Sequence, residues 1–178
     1  MIRLLQKSDI ETICNIVNDN WKSVYSEYIN EDLLNKQGCI ERENRLKKDF
    51  LSSRLLNYVY ECDNQPVALL SIGNTADKDK IGAFELWRIY ILKAYQSRGI
   101  GTLLLDFTEK KAIRSGYKEV LIWVFKGNVH ALSFYKKHGY KHDKECYLGQ
   151  PYFTYGIRLS KELNCDVYTC ARLDKMNV

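Results

Sequence analysis

The stretch Gln96-Ser97-Arg98-Gly99-Ile100-Gly101 carries the densest chemical signal in the chain. It joins a strand-like run to the start of a helical one. Its glycines let the main chain approach a ligand closely, and the first turn of a helix leaves peptide N–H groups without internal acceptors. Such a turn receives anions, phosphate above all; without a ligand the same residues are only a glycine-containing helix start. There is no G-x-G-x-x-G, because Leu104 holds the third position, and no GxxxxGK[ST] occurs. A dinucleotide fold and a nucleotide-hydrolysing loop both lose ground. A second group lies near the N-terminus, where Trp21, Tyr25 and Tyr28 accompany Glu27, Glu31 and Asp32. Aromatic faces beside carboxylates suit a cationic amine. They equally suit a helix with inward aromatics and solvated acids.

Thiol, metal and imidazole chemistry finds less support. Cys14, Cys39, Cys62, Cys146, Cys165 and Cys170 stand singly, without a CxxC pair, so free thiols and no metal site are expected. His130, His138 and His142 read as surface or cap residues.

The elements that must position these residues belong to one domain, given 178 residues of which 46% are hydrophobic and 28% charged. No run approaches the ~20 apolar residues of a membrane span. The opening MIRLLQKSDIETIC lacks the pattern of a secretory leader, which predicts a cytoplasmic location. A net charge of +5, spread along the chain, suits a phosphate-bearing ligand but is too diffuse for a nucleic-acid face.

Met1–Leu5 reads as a strand, and Ser8 with Glu11 forms an S-x-x-E capping signal for a helix carrying Ile10, Ile13, Val17 and Trp21. A second helix carries the charged run Glu41–Lys48. Strands are predicted at Leu56–Glu61, Pro66–Gly73 and Ala83–Ile91, joined by hairpin turns DNQP and TADKDKIG. Helix Gly99–Ser115, strand Val120–Val124, helix Val129–His138 and strands near Tyr140–Tyr147 and Tyr152–Ser160 follow. The crossover helix makes Ala83–Ile91 and Val120–Val124 parallel neighbours. Ile100, Leu103, Leu104 and Phe107 form the expected inward face of helix Gly99–Ser115.

The pattern Q-x-x-G-x-G after a strand, followed by N-x-x-A-x-x-F-Y-x-x-x-G-Y (Asn128, Ala131, Phe134, Tyr135, Gly139, Tyr140), resembles the two linked motifs of the GNAT N-acetyltransferases. The resemblance is strong over residues 83–141, follows the family only in element order over 1–82, and is lost beyond about Leu159. It implies an α/β fold with a mixed sheet of about seven strands and about four helices, in which splayed parallel strands form an acyl-CoA slot. Residues 1–160 would form this domain, and 161–178 an extension of unknown structure.

The resemblance also implies roles. Main-chain N–H groups of Ser97, Arg98, Gly99, Ile100, Gly101 and Thr102, following Gln96, would hold the coenzyme A pyrophosphate, Arg98 adding charge. The Ile89 N–H would polarise the thioester carbonyl and Ile91 would bond the pantetheine arm. Asn128 would either cap the last helix or reach the cofactor. Glu85, eleven residues before Gln96, would be the base; strand alternation puts it on one face with Trp87 and Ile89. Tyr135 would protonate the departing sulfur. Trp21, Tyr25, Glu27 and Tyr28 would line the acceptor cleft.

The reading is therefore direct transfer of an acetyl group from acetyl-CoA to a primary amine, a small polyamine-like or antibiotic amine being favoured by the acidic, aromatic N-terminal segment. A peptide or protein N-terminus is the alternative acceptor, and a non-catalytic acyl-CoA sensor is the alternative of another class. No nucleic acid, membrane or metal partner is expected, and both monomer and homodimer are compatible with the sequence.

Overall fold

The computed structural model describes residues 1–164. Seven strands form one sheet: β1 Ile2–Leu4, β2 Leu56–Cys62, β3 Gln65–Asn74, β4 Phe84–Ile91, β5 Glu119–Phe125, β6 Lys141–Tyr147 and β7 Tyr155–Glu162. Four helices join them: α1 Ile10–Val24, α2 Lys36–Leu51, α3 Ile100–Arg114 and α4 Val129–Lys137. The sheet order is β1-β2-β3-β4-β5-β7-β6. Every neighbouring pair is antiparallel except β4 and β5, which the α3 crossover makes parallel.

Two apolar layers sandwich the sheet. On one face Leu70, Ile72, Leu86, Val120 and Ile122 pack with Ile100, Leu104, Leu105 and Ala112 of α3 and Tyr135 of α4. On the other, Val59 and Leu69 meet Ile13, Val17 and Trp21 of α1 and Leu46 of α2. Local signals explain the connections. Asp63 and Asn64, at φ +50° and +60°, form the two-residue turn between β2 and β3, the conformation that a tight hairpin demands and that Asp and Asn tolerate.

Three local expectations need correction. The carboxylate that closes the α1 entry is Asp9, whose Oδ2 accepts the Gln6 N–H at 2.8 Å; a short 3-10 turn at Lys7–Asp9 starts the helical path before the Ser8–Glu11 pair can cap it. The inward stripe of α3 runs through Ile100, Leu104, Leu105, Thr108 and Ala112, leaving Leu103 49% exposed. The stripe is rotated because Leu105 and Ala112, not Leu103, face the sheet. Finally, the last strand, expected at Tyr152–Ser160, is β7 at Tyr155–Glu162, and the buried Leu163 after it donates its N–H to Lys118 O at 2.8 Å. Cys165, Cys170 and most of the expected C-terminal extension lie outside the described residues.

The feature that makes the site is a fork. β4 and β5 pair only at Phe84–Val120, Glu85–Leu121 and Leu86–Ile122. There the β3–β4 register slips by one residue: Ile72 pairs with Leu86, but Ser71 pairs with Arg88. Trp87 is thus the extra residue of a β-bulge, which bends a strand and adds twist. Beyond it, β4 stays with β3 and leaves β5.

Candidate active site

The fork opens into a cleft of about 640 Å³. Its walls are Glu85 to Tyr90 of β4 and Ile122 to Phe125 of β5. Trp21 and Tyr25 close the α1 end, and Asn128, Ala131 and Tyr135 come from α4.

The bulge changes which β4 groups face where. Leu92 N–H bonds Val67 O at 2.8 Å, so by alternation the Tyr90 peptide also addresses β3. The Ile89 and Ile91 peptides therefore address the open edge left by β5. The Ile91 carbonyl is already engaged: the side-chain amides of Asn20 and Gln96 each donate to it at 3.0 Å. Gln96 thus ties the turn to the end of β4. Side chains change faces as well. Ile89 and Ile91 pack into the α3/α4 layer, whereas Arg88 pairs opposite Ser71 and Tyr90 packs toward α1. Glu85 therefore shares its face with Arg88 and Tyr90 rather than with Ile89, because the inserted Trp87 breaks the period of two.

Gln96, Ser97, Arg98 and Gly99 are exposed. Gly99 has φ +79° and no side chain caps α3. The first main-chain bond of that helix is Leu103 N–H to Gly99 O, 3.1 Å. Helix geometry consequently leaves the N–H groups of Ile100, Gly101 and Thr102 without intrahelical acceptors, at the positive end of a four-turn dipole. The two glycines serve different needs. Gly99 supplies the left-handed backbone, with open space where a Cβ would stand; a Cβ on Gly101 would meet the Phe134 ring at 3.4 Å, so this glycine lets α3 approach α4. The Ile100 side chain is buried, which leaves only its peptide to face a ligand. The Arg98 guanidinium lies 5.1 Å from the Tyr95 ring centroid, and the Thr102 hydroxyl lies 3.2 Å from His138 Nε2.

Glu85 is only 5% exposed. Thr75 donates its hydroxyl proton to Glu85 Oε2 at 2.8 Å. Burial pushes the carboxyl up from 4.5 to about 7, with Asp77 adding to the rise; the Thr75 bond, the Ala76 N–H and Arg54 pull the other way. A carboxylate balanced near neutrality suits a proton acceptor. Tyr135 is 7% exposed and makes no side-chain hydrogen bond to any described residue. Burial, then Tyr90, raises its phenol above the ordinary value, so it stays protonated. Asn128 caps α4, its Oδ1 accepting the Ala131 N–H at 3.1 Å, while also lining the cleft.

At the α1 end, Trp21 Nε1–H donates to the Tyr90 hydroxyl at 3.0 Å. The Arg42 guanidinium carbon sits 4.0 Å from the Trp21 ring centroid. Tyr25 contacts Phe125 at 5.2 Å between centroids, and its phenol is raised by burial and then by Tyr90 and Tyr28. Glu27 is exposed and does not reach the cleft. Tyr28 does not line the cleft either: its ring packs on that of Tyr25, 5.8 Å between centroids, and fills the space over Gly127. The carboxylates that line the cleft are Glu85 and Asp77.

Sequence reasoning missed Thr75, Asp77, Trp123 and Arg158. Asp77 Oδ2 accepts both Trp123 Nε1–H at 2.9 Å and Arg158 Nη1–H at 2.7 Å. A signal existed: Arg158 interrupts the apolar run YGIRLS, and a charge at a buried strand position needs acidic partners. The acid-rich TADKDKIG was read only as a turn.

The open peptide edge and the uncapped α3 terminus fit a long arm ending in phosphates. Comparison with known proteins agrees. The sequence profile of the Acetyltransferase (GNAT) family matches residues 10–140. The chain is 28% identical over 149 residues to a spermidine N(1)-acetyltransferase of Thermoplasma acidophilum, covering 79% of this chain and 87% of that one. It is 27% identical over 130 residues to an uncharacterized N-acetyltransferase of Bacillus subtilis, covering 71% and 72%. Among solved structures, the PaiA N-acetyltransferase of T. acidophilum in complex with coenzyme A superposes with a TM-score of 0.72 at 22% identity, over 91% of this chain and 98% of that one. A ribosomal-protein-alanine N-acetyltransferase from Brucella melitensis gives 0.70 at 20% identity, over 92% and 99%. The forked parallel strands, the glycine turn before α3 and the family match lead to one conclusion: this chain belongs to the GNAT acetyltransferases, enzymes that draw their acetyl group from acetyl-CoA.

Proposed function

We propose that the protein acetylates the primary amine of a small, polyamine-like molecule by direct attack on acetyl-CoA. The observation that carries this reading is the placement of a buried carboxyl balanced near neutrality, Glu85, in the same cleft as the Tyr135 phenol and the unpaired β4 edge.

In this reading the peptides of the α3 turn grip the pyrophosphate, and the Ile89 N–H bonds the thioester carbonyl oxygen, as a preorganised dipole. An alkyl ammonium has a pKa near 10.4, so a proton must leave before the nitrogen can attack; ionised Glu85 takes it. The amine nitrogen bonds the carbonyl carbon, the carbon–sulfur bond breaks, and sulfur leaves with the bonding pair. The Tyr135 O–H stabilises that developing thiolate. Full transfer from a phenol above 10 to a thiolate near 8.5 is uphill, so Tyr135 contributes a hydrogen bond while the bond breaks and ends with its own proton; the second proton, which the nitrogen sheds as the amide forms, goes to the thiolate.

The acceptor class is supported by the aromatic rings of Trp21, Tyr25, Trp87, Trp123 and Phe125, faces that suit a cationic amine, in a cleft where Glu85 and Asp77 stand against Arg88 and Lys144. The relative that acetylates spermidine by name adds weight. Free-thiol release from acetyl-CoA, measured against diamines, polyamines and short peptides, tests the reading. Turnover with the small amines and loss of it in Glu85→Gln are expected. Turnover confined to peptides overturns the acceptor class, and binding of coenzyme A without turnover on any amine overturns catalysis.

A further inference from the structure

Glu85 is held by a segment that none of the recognised motifs includes. The loop between β3 and β4 carries Thr75, Ala76, Asp77 and Asp79, and it is pinned from the far side of the cleft. Arg158 of β7 is 2% exposed. It donates from Nη1 to Asp77 Oδ2 at 2.7 Å and to Asp79 Oδ1 at 2.9 Å, from Nη2 to Asp79 Oδ2 at 2.8 Å, and from Nε to Asp143. Trp123 Nε1–H adds a second bond to Asp77. The chain of contacts then runs inward. The Asp77 N–H donates to Thr75 Oγ1 at 3.1 Å, and Thr75 donates onward to Glu85 Oε2 at 2.8 Å. A hydroxyl has one proton. With its oxygen accepting from Asp77, that proton stays directed at the carboxylate.

We infer that Arg158 is a positioning residue for catalysis: by clamping Asp77 and Asp79 it holds the Thr75 hydroxyl on Glu85 and fixes the charge that Glu85 experiences. The inference rests on the assignment of Glu85 as the base. The charged groups acting most on Glu85 are Asp77 of this loop and Arg54 from the segment before β2. Arg88, on the same face of β4, is paired with Asp49, Lys144 of β6 lines the same cleft but is paired with Asp79, and the paired neighbours Gly73 of β3 and Leu121 of β5 carry no charge. The arrangement sets two opposed influences. Thr75 favours the ionised carboxylate, whereas the Asp77 carboxylate, only partly offset by Arg158, disfavours it.

Three substitutions in the full chain separate these influences. Thr75→Val removes the donor and should raise the Glu85 titration midpoint by about one pH unit, tenfold in its proton-dissociation constant. Asp77→Asn removes a like charge and should lower it by a similar amount. Arg158→Met exposes Glu85 to uncompensated Asp77 and releases the loop, two effects of the same sign, and should raise the midpoint; Arg158→Lys should restore part of the change. The readouts are carboxyl-carbon NMR titration of Glu85 and the acidic limb of kcat/KM against pH. Parallel movement of both in these directions supports the inference. An unmoved carboxyl titration in folded Thr75→Val and Asp77→Asn proteins overturns it, whatever the rate does. A titration that moves while the rate profile stays fixed leaves the clamp in place as a setter of this carboxyl but overturns its catalytic role, and with it the reading of Glu85 as the base. Arg158→Met is judged only if its circular dichroism and thermal melt remain cooperative, since it strips a buried site; an unmoved Glu85 titration in the folded protein overturns the role of Arg158. If it does not fold, Arg158→Lys, which keeps the charge but loses the forked contacts with Asp79, decides the same question by whether the midpoint moves.

Discussion

Replacing Glu85 with glutamine should make the protein more stable at alkaline pH. The side chain is 5% exposed, and burial moves its carboxyl from 4.5 to about 7. A folded-state value above the unfolded one means that protonation favours the fold. The contribution is complete below about 4.5 and disappears as pH rises through about 7. At about 1.4 kcal/mol per pH unit, the displacement from 4.5 to about 7 corresponds to about 3 kcal/mol. Glutamine stays neutral at every pH and can still accept the Thr75 proton. The difference in unfolding free energy between Glu85→Gln and the parent should therefore grow by about 3 kcal/mol between pH 4.5 and 8.5. Urea titrations of both proteins across that range measure it, and the other titrating groups cancel in the difference. The variant should also lose the acidic limb near pH 7 from its residual kcat/KM. A difference curve that is flat with pH would refute the burial argument.

Other outcomes follow from the same structure. Tyr135→Phe should lower kcat by roughly 10–10⁴-fold with little change in the dissociation constant of coenzyme A, measured by calorimetry; unchanged kcat removes the leaving-group role. Coenzyme A at 100 times its dissociation constant should stabilise the fold by about 2.7 kcal/mol, seen as a higher melting temperature, and the absence of any rise at millimolar ligand counts against the α3 turn as its site. Gly99→Ala places a Cβ on a residue at φ +79° and should cost about 1–2 kcal/mol in urea unfolding, although nothing stands within 4 Å of that Cβ. Asn128→Ala removes the α4 cap at about 1 kcal/mol; a far larger loss of coenzyme A affinity would show that the same side chain also reaches the ligand.

Element order was readable because it is local. The unbroken apolar run PVALLSIG, buried on both faces, and the helical spacing in α1 are written in consecutive residues, and the parallel pairing of β4 with β5 follows from the one crossover helix between them. The glycine turn was readable because its backbone demand is carried by residue type. What escaped notice depends on distance. Alternation assumes one residue per rung, so it placed Glu85 with Ile89, and nothing in ELWRIYI marks Trp87 as the surplus rung. Arg158 and Asp77 lie 81 positions apart, and the acids of the β3–β4 loop look like ordinary turn residues until β7 is laid beside them. The acidic character at the N-terminus misled in a related way. Glu27 had the right chemistry for an amine, yet it faces solvent, while the acids of the cleft come from β4 and the loop before it.

The bulge at Trp87 has a consequence for how this sequence tolerates change. Removing that one residue would leave the rungs to β3 as they are, Leu86 opposite Ile72 and Arg88 opposite Ser71, so residues 88–91 would keep their faces. What would go is the local bend and the added twist, and the rungs from β4 to β5 would be free to continue past Leu86 and Ile122. Point replacements along β4 therefore alter one contact each, whereas a single codon lost there would shut the donor slot while Arg88 and Tyr90 stayed on the acceptor side.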